Sequence, residues 1–301
     1  MGEVRIPSRL AATVVAWEGD SGRRWLEQVP RLVAEVAEAW DLEVGPALEP
    51  GGNISWVAPA RRRSDGLEAV LKVQHPHPES APEASGLSAW AGDGAVRLFA
   101  QDPMRCALLL ERCRPGTALL EEAGSRAAVT AGAALGARLH LVEAPVGLPT
   151  LAAVLATWAD ELEARLARRP LADPGLGRRA LSTMRDRPAT SRAVLLHGDL
   201  NPTNVLAAER EPWLAIDPKP MLGDPAYDGP RLVLQPHPLD AAALAERLAL
   251  VAESLEVERE ALVEWCLVNA VEMAASSADH GDGVTTARCL AQVTLLVPHL
   301  T

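Results

Sequence analysis

The 301-residue chain is acidic and rich in apolar residues, and both properties narrow its range of functions. It carries 29 basic and 40 acidic residues, for a net charge of −11, with no run of five lysines or arginines. Duplex nucleic acid and anionic membranes bind concentrated basic surfaces, so neither is an expected partner, and a cationic ligand suits this charge better. The length exceeds that of a usual single domain, which indicates one large domain or two unequal lobes.

The cysteines and the apolar segments indicate a cytoplasmic protein. The four cysteines form no CxxC pair, so the sequence predicts neither a zinc site nor a disulfide framework. The early apolar run "LAATVVAW" at residues 10–17 lacks a small-residue cleavage pattern, and no apolar stretch reaches 18 residues.

The first third of the chain predicts a helix followed by an antiparallel sheet. Apolar residues recur at three- and four-residue steps from Trp25 to Trp40, which is typical of an amphipathic helix. From about Val44 to Glu111, short apolar runs alternate with Gly, Pro and Asp clusters, which is typical of strands. Within that region only residues 82–90 have a helical pattern.

The rest of the chain is predicted to be mainly helical. A linker at residues 112–115 precedes Ala- and Leu-rich sequence with helical spacing to about Arg187. A strand at 193–196 and a hairpin across 205–216 follow, and helices return from about 239 to 297.

The passage "VLLHGDLNPTNVL" at residues 194–206 interrupts an apolar run with polar residues. Alone it could be an ordinary turn, because Gly, Asp, Asn and Pro initiate turns. Asn204 lies five positions after Asp199, and Asp217 ends the apolar strand "WLAID" thirteen positions later. Asn204 and Asp217 offer the oxygen atoms that Mg²⁺ prefers, which leaves Asp199 to accept the proton of an attacking hydroxyl.

This spacing, with "AVLKV" and "LLLERCRPGT" upstream, resembles the aminoglycoside phosphotransferases, and within them the streptomycin 6-phosphotransferase and hydroxyurea-kinase branch. The resemblance runs from about Trp25 to the C-terminus. It implies an α+β, protein-kinase-like bilobal fold. The small antiparallel-sheet lobe, residues 1–113, would bind the nucleotide, and the larger helical lobe, residues 114–301, would carry the catalytic loop and the acceptor site.

The same resemblance implies that ATP and Mg²⁺ are the cofactors. Asp199 would be the catalytic base, and Asn204 and Asp217 would be the Mg²⁺ ligands. Lys72 would contact the α- and β-phosphates, although a lysine that extends from a sheet edge into solvent is the structural alternative.

Further nucleotide contacts follow from the resemblance. Glu83 is the expected ion-pair partner of the strand lysine, and Glu79 is the rival. The loop "LEPGGNISWV" would cover the phosphates through Gly51, Gly52 and Ser55, although a simple hairpin turn explains it equally well. The backbone of the lobe linker, from Glu111 to Cys113, would read the adenine edge.

Two departures from protein kinases bear on regulation. Gly198 stands where those enzymes carry an arginine that grips a phosphorylated activation loop, and Pro218 and Lys219 replace Phe-Gly after the second aspartate. Control by loop phosphorylation, or by a flip of that aspartate's neighbour, is therefore not expected.

Three carboxylates are candidates for the acceptor site. Glu272 and Asp279 share one helical face, and with Asp224 they would form an acidic wall that binds guanidinium or ammonium groups. The alternative is that Glu272 faces water. Asp228 and His197 fit structural roles better, as residues that cap a helix or hold the catalytic loop.

The leading hypothesis is an ATP- and Mg²⁺-dependent phosphotransferase that inactivates a small cationic antibiotic, with streptomycin as the first acceptor. A kinase of another small hydroxyl or hydroxamate compound is the alternative within that class. A two-metal hydrolase would use the same aspartates but leaves the strand lysine unexplained. A catalytically inactive nucleotide-binding protein would not need a complete set of catalytic residues.

Overall fold

A computed structural model describes residues 4–49, 51–122, 125–189, 192–235 and 237–300. The chain divides into two units, residues 1–116 and 117–301. The sequence analysis placed this boundary after residue 113. Pro50 of the predicted phosphate loop lies outside the described residues.

An antiparallel sheet of five strands forms most of the first unit, in the order β1-β2-β3-β5-β4. The strands are β1 (Leu42–Val44), β2 (Ser55–Arg62), β3 (Glu68–Gln74), β4 (Leu98–Asp102) and β5 (Ala107–Glu111). Lys72 pairs with Val57 on one side and with Leu108 on the other. The lysine therefore lies in the central strand, and the alternative of an edge lysine is wrong.

Helix α1 (Ser8–Ala39) covers the sheet and begins well before the predicted periodic segment. It bends at Gly19, where φ is +56°, a conformation that favours glycine. Trp25, Val29 and Val33 on its apolar face join the core formed with the inner face of the sheet. Helix α2 (Glu83–Trp90) is the single helical segment predicted within the sheet region, and it is confirmed.

Helices make up most of the second unit, as predicted. They are α3 (Leu119–Glu122), α4 (Ser125–Leu139), α5 (Leu151–Arg168), α6 (Pro174–Asp186), α7 (Pro230–Leu234), α8 (Ala241–Ser254), α9 (Arg259–Asp279) and α10 (Gly283–Leu296). Side chains that accept a main-chain N–H begin several of them, as Thr150 does for α5 and Asp240 for α8. Over the residues described, none of the helices is long and apolar enough to cross a membrane.

Two short antiparallel ribbons in the second unit carry the polar motifs. They pair β6 (Val194–Leu196) with β9 (Met221–Gly223), and β7 (Val205–Ala207) with β8 (Trp213–Ala215). The β7–β8 hairpin was predicted, whereas β9 was not, because Met221–Gly223 lies between Pro220 and Asp224 in a passage rich in turn residues. The pairing of β6 with β9 brings the segment after β6 against the segment before β9.

Candidate active site

Asp199 lies in the loop after β6, and two asparagines fix its backbone. The Nδ2 groups of Asn201 and Asn204 both donate to the Asp199 carbonyl oxygen, at 3.1 and 3.0 Å. Asn201 Nδ2 also lies 3.2 Å from Oδ1 of the Asp199 carboxylate. The Asn201 side-chain oxygen accepts the N–H of Thr203 at 2.9 Å, so this asparagine organises the turn itself. The sequence analysis did not identify it.

Two basic side chains flank the Asp199 carboxylate. Arg231 Nη1 lies 3.3 Å from Oδ1, and Lys219 Nζ lies 4.0 Å from Oδ2. The aspartate side chain is 15% exposed, so its oxygens remain accessible. Neither basic residue was predicted as part of the site. The sequence does contain a signal that could have identified them. Lys219 and Arg231 are the basic residues in the otherwise acidic passage "DPKPMLGDPAYDGPR", which follows the catalytic motif.

The β7–β8 hairpin brings the two predicted metal ligands together. Ile216 donates its N–H to the Asn204 carbonyl at 2.9 Å, so Asn204 lies beside the strand end that Asp217 follows. Asp217 has φ of +55°, a strained backbone for a residue other than glycine, and such strain concentrates at functional sites.

The donor set of this pair fits Mg²⁺. Asn204 uses Nδ2 to hold the catalytic loop, which turns its Oδ1 away from that carbonyl. One carboxylate and one amide oxygen are typical of Mg²⁺ sites, in which water and substrate phosphates supply the other ligands. No group of three or more His, Cys, Asp or Glu in the described ranges could hold a metal ion. A magnesium ion that shares its coordination with substrate phosphates needs only one or two protein ligands.

The Asp228 carboxylate holds the catalytic loop through hydrogen bonds to its main chain. One carboxylate oxygen accepts the N–H of His197 at 2.8 Å and the Nε2 of His140 at 2.9 Å, and the other accepts the N–H of Gly198 at 2.8 Å. Burial acts to raise the pKa of Asp228, but the hydrogen bond and charge of His140 and the hydrogen bond from the His197 N–H outweigh it and hold that pKa below its usual value. The predicted structural role for Asp228 matches this geometry, whereas His140 was not foreseen.

His197 braces the loop as a neutral imidazole. It is fully buried, and its Nε2 donates to the Ile216 carbonyl at 3.1 Å while its Nδ1 accepts the N–H of Asp199 at 3.3 Å. Burial lowers the pKa of His197, with the nearby aspartates acting in the opposite direction. Both ring nitrogens are thus committed to the loop, so the residue is not a metal ligand.

In the first unit, Lys72 and Glu83 form a buried ion pair. Lys72 Nζ lies 2.7 and 2.6 Å from the two carboxylate oxygens of Glu83, and the side chains are 6% and 1% exposed. Gln74 Nε2 donates to the same carboxylate at 2.5 Å. Of the two glutamates considered from the sequence, the structure therefore pairs Glu83, from the start of α2, with the strand lysine.

The glycine loop before β2 is tight. Gly51 has φ of +81°, and a Cβ on Gly52 would lie 2.8 Å from the Ser55 carbonyl oxygen. Both positions therefore require glycine. Ser55 already belongs to β2, where it pairs with Gln74, so it begins a strand that follows the loop.

The predicted adenine-reading linker follows β5. Glu111 donates its N–H to the Arg97 carbonyl at 2.8 Å, and its side chain accepts the Arg97 N–H at 3.0 Å. The Glu111 N–H is therefore already hydrogen-bonded to the neighbouring chain segment. It is not available as the donor that the predicted adenine contact would need. Cys113 lies beyond the end of β5 and is half-buried.

The three carboxylates of the predicted acidic wall all have arginine partners. Glu272 lies 3.5 Å from Arg165 of α5, which also lies 3.5 Å from Asp279. Asp224 is buried, accepts Arg187 Nε at 3.0 Å and Trp265 Nε1 at 2.9 Å, and caps a 3₁₀ turn through Ala226. Arg165 belongs to another helix, so the residues that surround Glu272 in the sequence do not reveal this partner. The structure therefore corrects the prediction of an acidic wall reserved for a cationic acceptor, because the protein's own arginines already pair with these carboxylates.

Glu272 and Asp199 both act electrostatically on the same buried side chain. The buried phenol of Tyr227 is influenced by the charges of Arg231, Asp228, Glu272 and Asp199, and burial raises its pKa. Glu272 is also 29% exposed, so a ligand can reach it. Asp224, which is 3% exposed, offers no comparable surface.

Comparison with known proteins gives one consistent result. A family model described as "Aminoglycoside/hydroxyurea antibiotic resistance kinase" matches residues 42–281. The chain is 42% identical to a hydroxyurea phosphotransferase of Kitasatospora aureofaciens, over 89% of this chain and 79% of that protein. It is 36% identical to a streptomycin 6-kinase of Streptomyces griseus, over 89% of each.

A solved structure supports the fold. A thermostable aminoglycoside phosphotransferase mutant in a ternary complex with ADP and hygromycin B matches with a TM-score of 0.58 and 13% identity, over 88% of this chain and 97% of that one. This likeness confirms the protein-kinase-like architecture predicted from the sequence.

Proposed function

Because the chain belongs to the aminoglycoside/hydroxyurea antibiotic resistance kinase family, and is therefore a phosphotransferase of small molecules, we propose that it moves the γ-phosphoryl group of ATP to a hydroxyl of an antibiotic. The observation that carries the proposal is the arrangement around Asp199. Its backbone is fixed by two asparagines, and its carboxylate remains accessible beside the Asn204–Asp217 pair.

Asp199 acts as the general base in this proposal. It accepts the proton of the acceptor hydroxyl while that oxygen forms a bond to the γ-phosphorus, and the bond from phosphorus to the bridging oxygen of ADP breaks. Asn201 donates to the carboxylate, and both Asn201 and Asn204 donate to the main-chain carbonyl of Asp199, so the base is oriented before the substrate arrives and the cost of alignment is lower.

The proposal assigns a role toward the nucleotide or its metal ion to each of the following residues. Lys72, oriented by Glu83, binds the α- and β-phosphates, and Gly51 and Gly52 cover them with main-chain N–H groups. Asn204 and Asp217 hold Mg²⁺, which when bound neutralises phosphate charge.

We propose streptomycin as the first acceptor to test and hydroxyurea as the second. The 36% and 42% identities to a streptomycin 6-kinase and a hydroxyurea phosphotransferase support both. Glu272 is the acidic residue retained in the acceptor proposal, because its side chain is partly exposed, whereas Asp224 is buried. A guanidinium of the acceptor would compete with Arg165 for it.

The decisive experiment is incubation of the protein with ATP, Mg²⁺ and separate samples of streptomycin, hydroxyurea and other aminoglycosides, scored by product mass. A gain of one phosphoryl group on one compound supports the proposal and identifies the acceptor. Asp199→Asn should lower kcat by about a hundredfold or more with ATP affinity unchanged. Equal losses of ATP affinity and turnover in that variant would indicate a metal ligand and contradict the assignment.

A further inference from the structure

Lysine is scarce in this chain, and its positions are informative. Lys72 and Lys219 are the only two lysines among 29 basic residues, and every other one is an arginine. Lys72 belongs to the buried pair with Glu83, and Lys219 lies beside Asp199.

The two side chains suit different partners. The planar guanidinium of arginine binds a carboxylate through two atoms, whereas the compact ammonium of lysine suits a single phosphate oxygen. Arginine pairs with carboxylates throughout this protein, as Arg187 does with Asp224. A residue needed only to pair with Asp199 would therefore be served equally well by arginine.

The backbone of Lys219 is fixed against the catalytic loop. Its N–H donates to the His197 carbonyl at 2.7 Å. A Cβ on Gly198 would lie 2.1 Å from the Lys219 carbonyl oxygen, so the two segments are in direct contact. Pro218 and Pro220 on either side restrict the backbone further. The Cα and Cβ atoms of Lys219 are therefore fixed in position relative to Asp199.

The ammonium group itself is partly accessible and close to the base. Lys219 Nζ lies 4.0 Å from Asp199 Oδ2, beyond hydrogen-bond distance, and the side chain is 33% exposed. Arg231 approaches the other oxygen of the same carboxylate at 3.3 Å. Arg231 therefore makes the shorter contact with Asp199, and the Lys219 ammonium lies beside the same carboxylate.

We propose that Lys219 is a second catalytic residue, whose ammonium group contacts an oxygen of the phosphoryl group during its transfer. The proposal rests on the proposed role of Asp199 as base. The acceptor oxygen bonds to phosphorus, the bond to ADP breaks, and the proton passes to Asp199, while Lys219 keeps its protons throughout. Its positive charge offsets the repulsion between the phosphoryl oxygens and the carboxylate.

Kinetics of three variants test this role. Lys219→Met should lower kcat by about 10²–10³-fold and change the KM for ATP by less than about threefold, because the contact strengthens in the transition state. Lys219→Arg keeps the charge and should recover at least about tenfold of that loss. Arg185→Met is the matched control, since it removes a surface cation paired with Asp160 and Glu163. It should leave kcat unchanged.

A binding measurement provides a second readout that needs no acceptor. Calorimetry with ADP and Mg²⁺, with and without aluminium fluoride as a mimic of the transferring phosphoryl group, should show fluoride-dependent tightening in the wild type. Lys219→Met should bind ADP normally and lose that tightening. Normal tightening in the variant, or a kcat within about threefold of wild type, would overturn the proposal. If the wild type phosphorylates no acceptor in the panel, the proposed function fails, and the fluoride titration still decides the role of Lys219.

Discussion

Replacing Asp228 by asparagine tests whether one buried carboxylate holds the catalytic loop in place. The side chain is 3% exposed and accepts three hydrogen bonds, from His140, His197 and Gly198, each between 2.8 and 2.9 Å. Two of the donors are main-chain N–H groups immediately before Asp199. The variant Asp228→Asn keeps the shape of the side chain and removes its charge.

The expected loss follows from these contacts. Asparagine retains one acceptor oxygen, and its amide NH₂ must then face an N–H donor. Hydrogen bonds to a charged group contribute about 1.5–3 kcal/mol each, and breaking a buried charged pair costs about 3–5 kcal/mol. We therefore expect Asp228→Asn to lower the free energy of unfolding by about 3 kcal/mol at pH 7, and Asp228→Ala to lower it by more. Turnover should fall as well, because the loop loses its support.

Urea denaturation of the wild type and the variant between pH 3 and pH 7 measures this effect. The pKa of Asp228 is depressed in the folded protein, so its stabilisation is present above the unfolded-state value of about 3.9 and is lost as pH falls through the folded pKa. The difference in the free energy of unfolding between wild type and Asp228→Asn should be largest at pH 7 and should decrease below about pH 4. Asp173→Asn, at an exposed helix cap where asparagine serves equally well, is the control. A difference below about 1 kcal/mol at pH 7, or one that grows on acidification, would refute the reasoning.

Three further predictions concern other parts of the site. Lys72→Met should weaken ATP binding and destabilise the protein by about 3 kcal/mol, and adding Glu83→Gln should restore stability in denaturation but not ATP affinity in calorimetry; recovery of both would contradict the phosphate contact. Gly198→Ala should lower Tm and kcat more than Gly281→Ala, because both have positive φ but only the first Cβ would meet a carbonyl oxygen, at 2.1 Å; equal effects would exclude that contact. Glu272→Gln should raise the KM for streptomycin about ten- to a hundredfold and leave the KM for ATP unchanged in steady-state assays, and an unchanged KM for streptomycin would remove this residue from the acceptor site.

The parts of the site that the sequence predicted depend on local spacing. Asn204 follows Asp199 within one loop and directly precedes β7. Asp217 comes just after β8, which pairs with β7, so the neighbouring strand ends bring Asn204 and Asp217 together. Glu83 was identifiable because α2 is the helical segment inside a region of strands. In each case one short pattern contains the information, and no distant contact is needed.

The missed contacts depend on chain segments that return from a distance. Arg231 reaches Asp199 from the beginning of α7, and nothing in the local sequence shows how that short helix is oriented. Arg165 reaches Glu272 from α5. The turns of α9 around Glu272 contain no lysine or arginine, so the local sequence does not show this partner. Desolvation arguments apply to the folded environment, and the sequence of a single helix does not contain that environment.

The support of the catalytic loop comes from the short segment that follows it, and this explains why regulation by an activation loop is not expected here. The Ile216 carbonyl accepts from the His197 ring, Lys219 donates to the His197 carbonyl, and Asp228 accepts two main-chain N–H groups. These bonds all arise between residues 216 and 228, the interval in which protein kinases carry their regulated loop. A long insertion there would have to preserve both ends of this network to keep the loop aligned. Here the compact segment supplies these bonds, with His140 holding Asp228, and Gly198 stands in place of an arginine that would require a phosphate partner. The catalytic loop is therefore held in position by hydrogen bonds that require no phosphorylated residue.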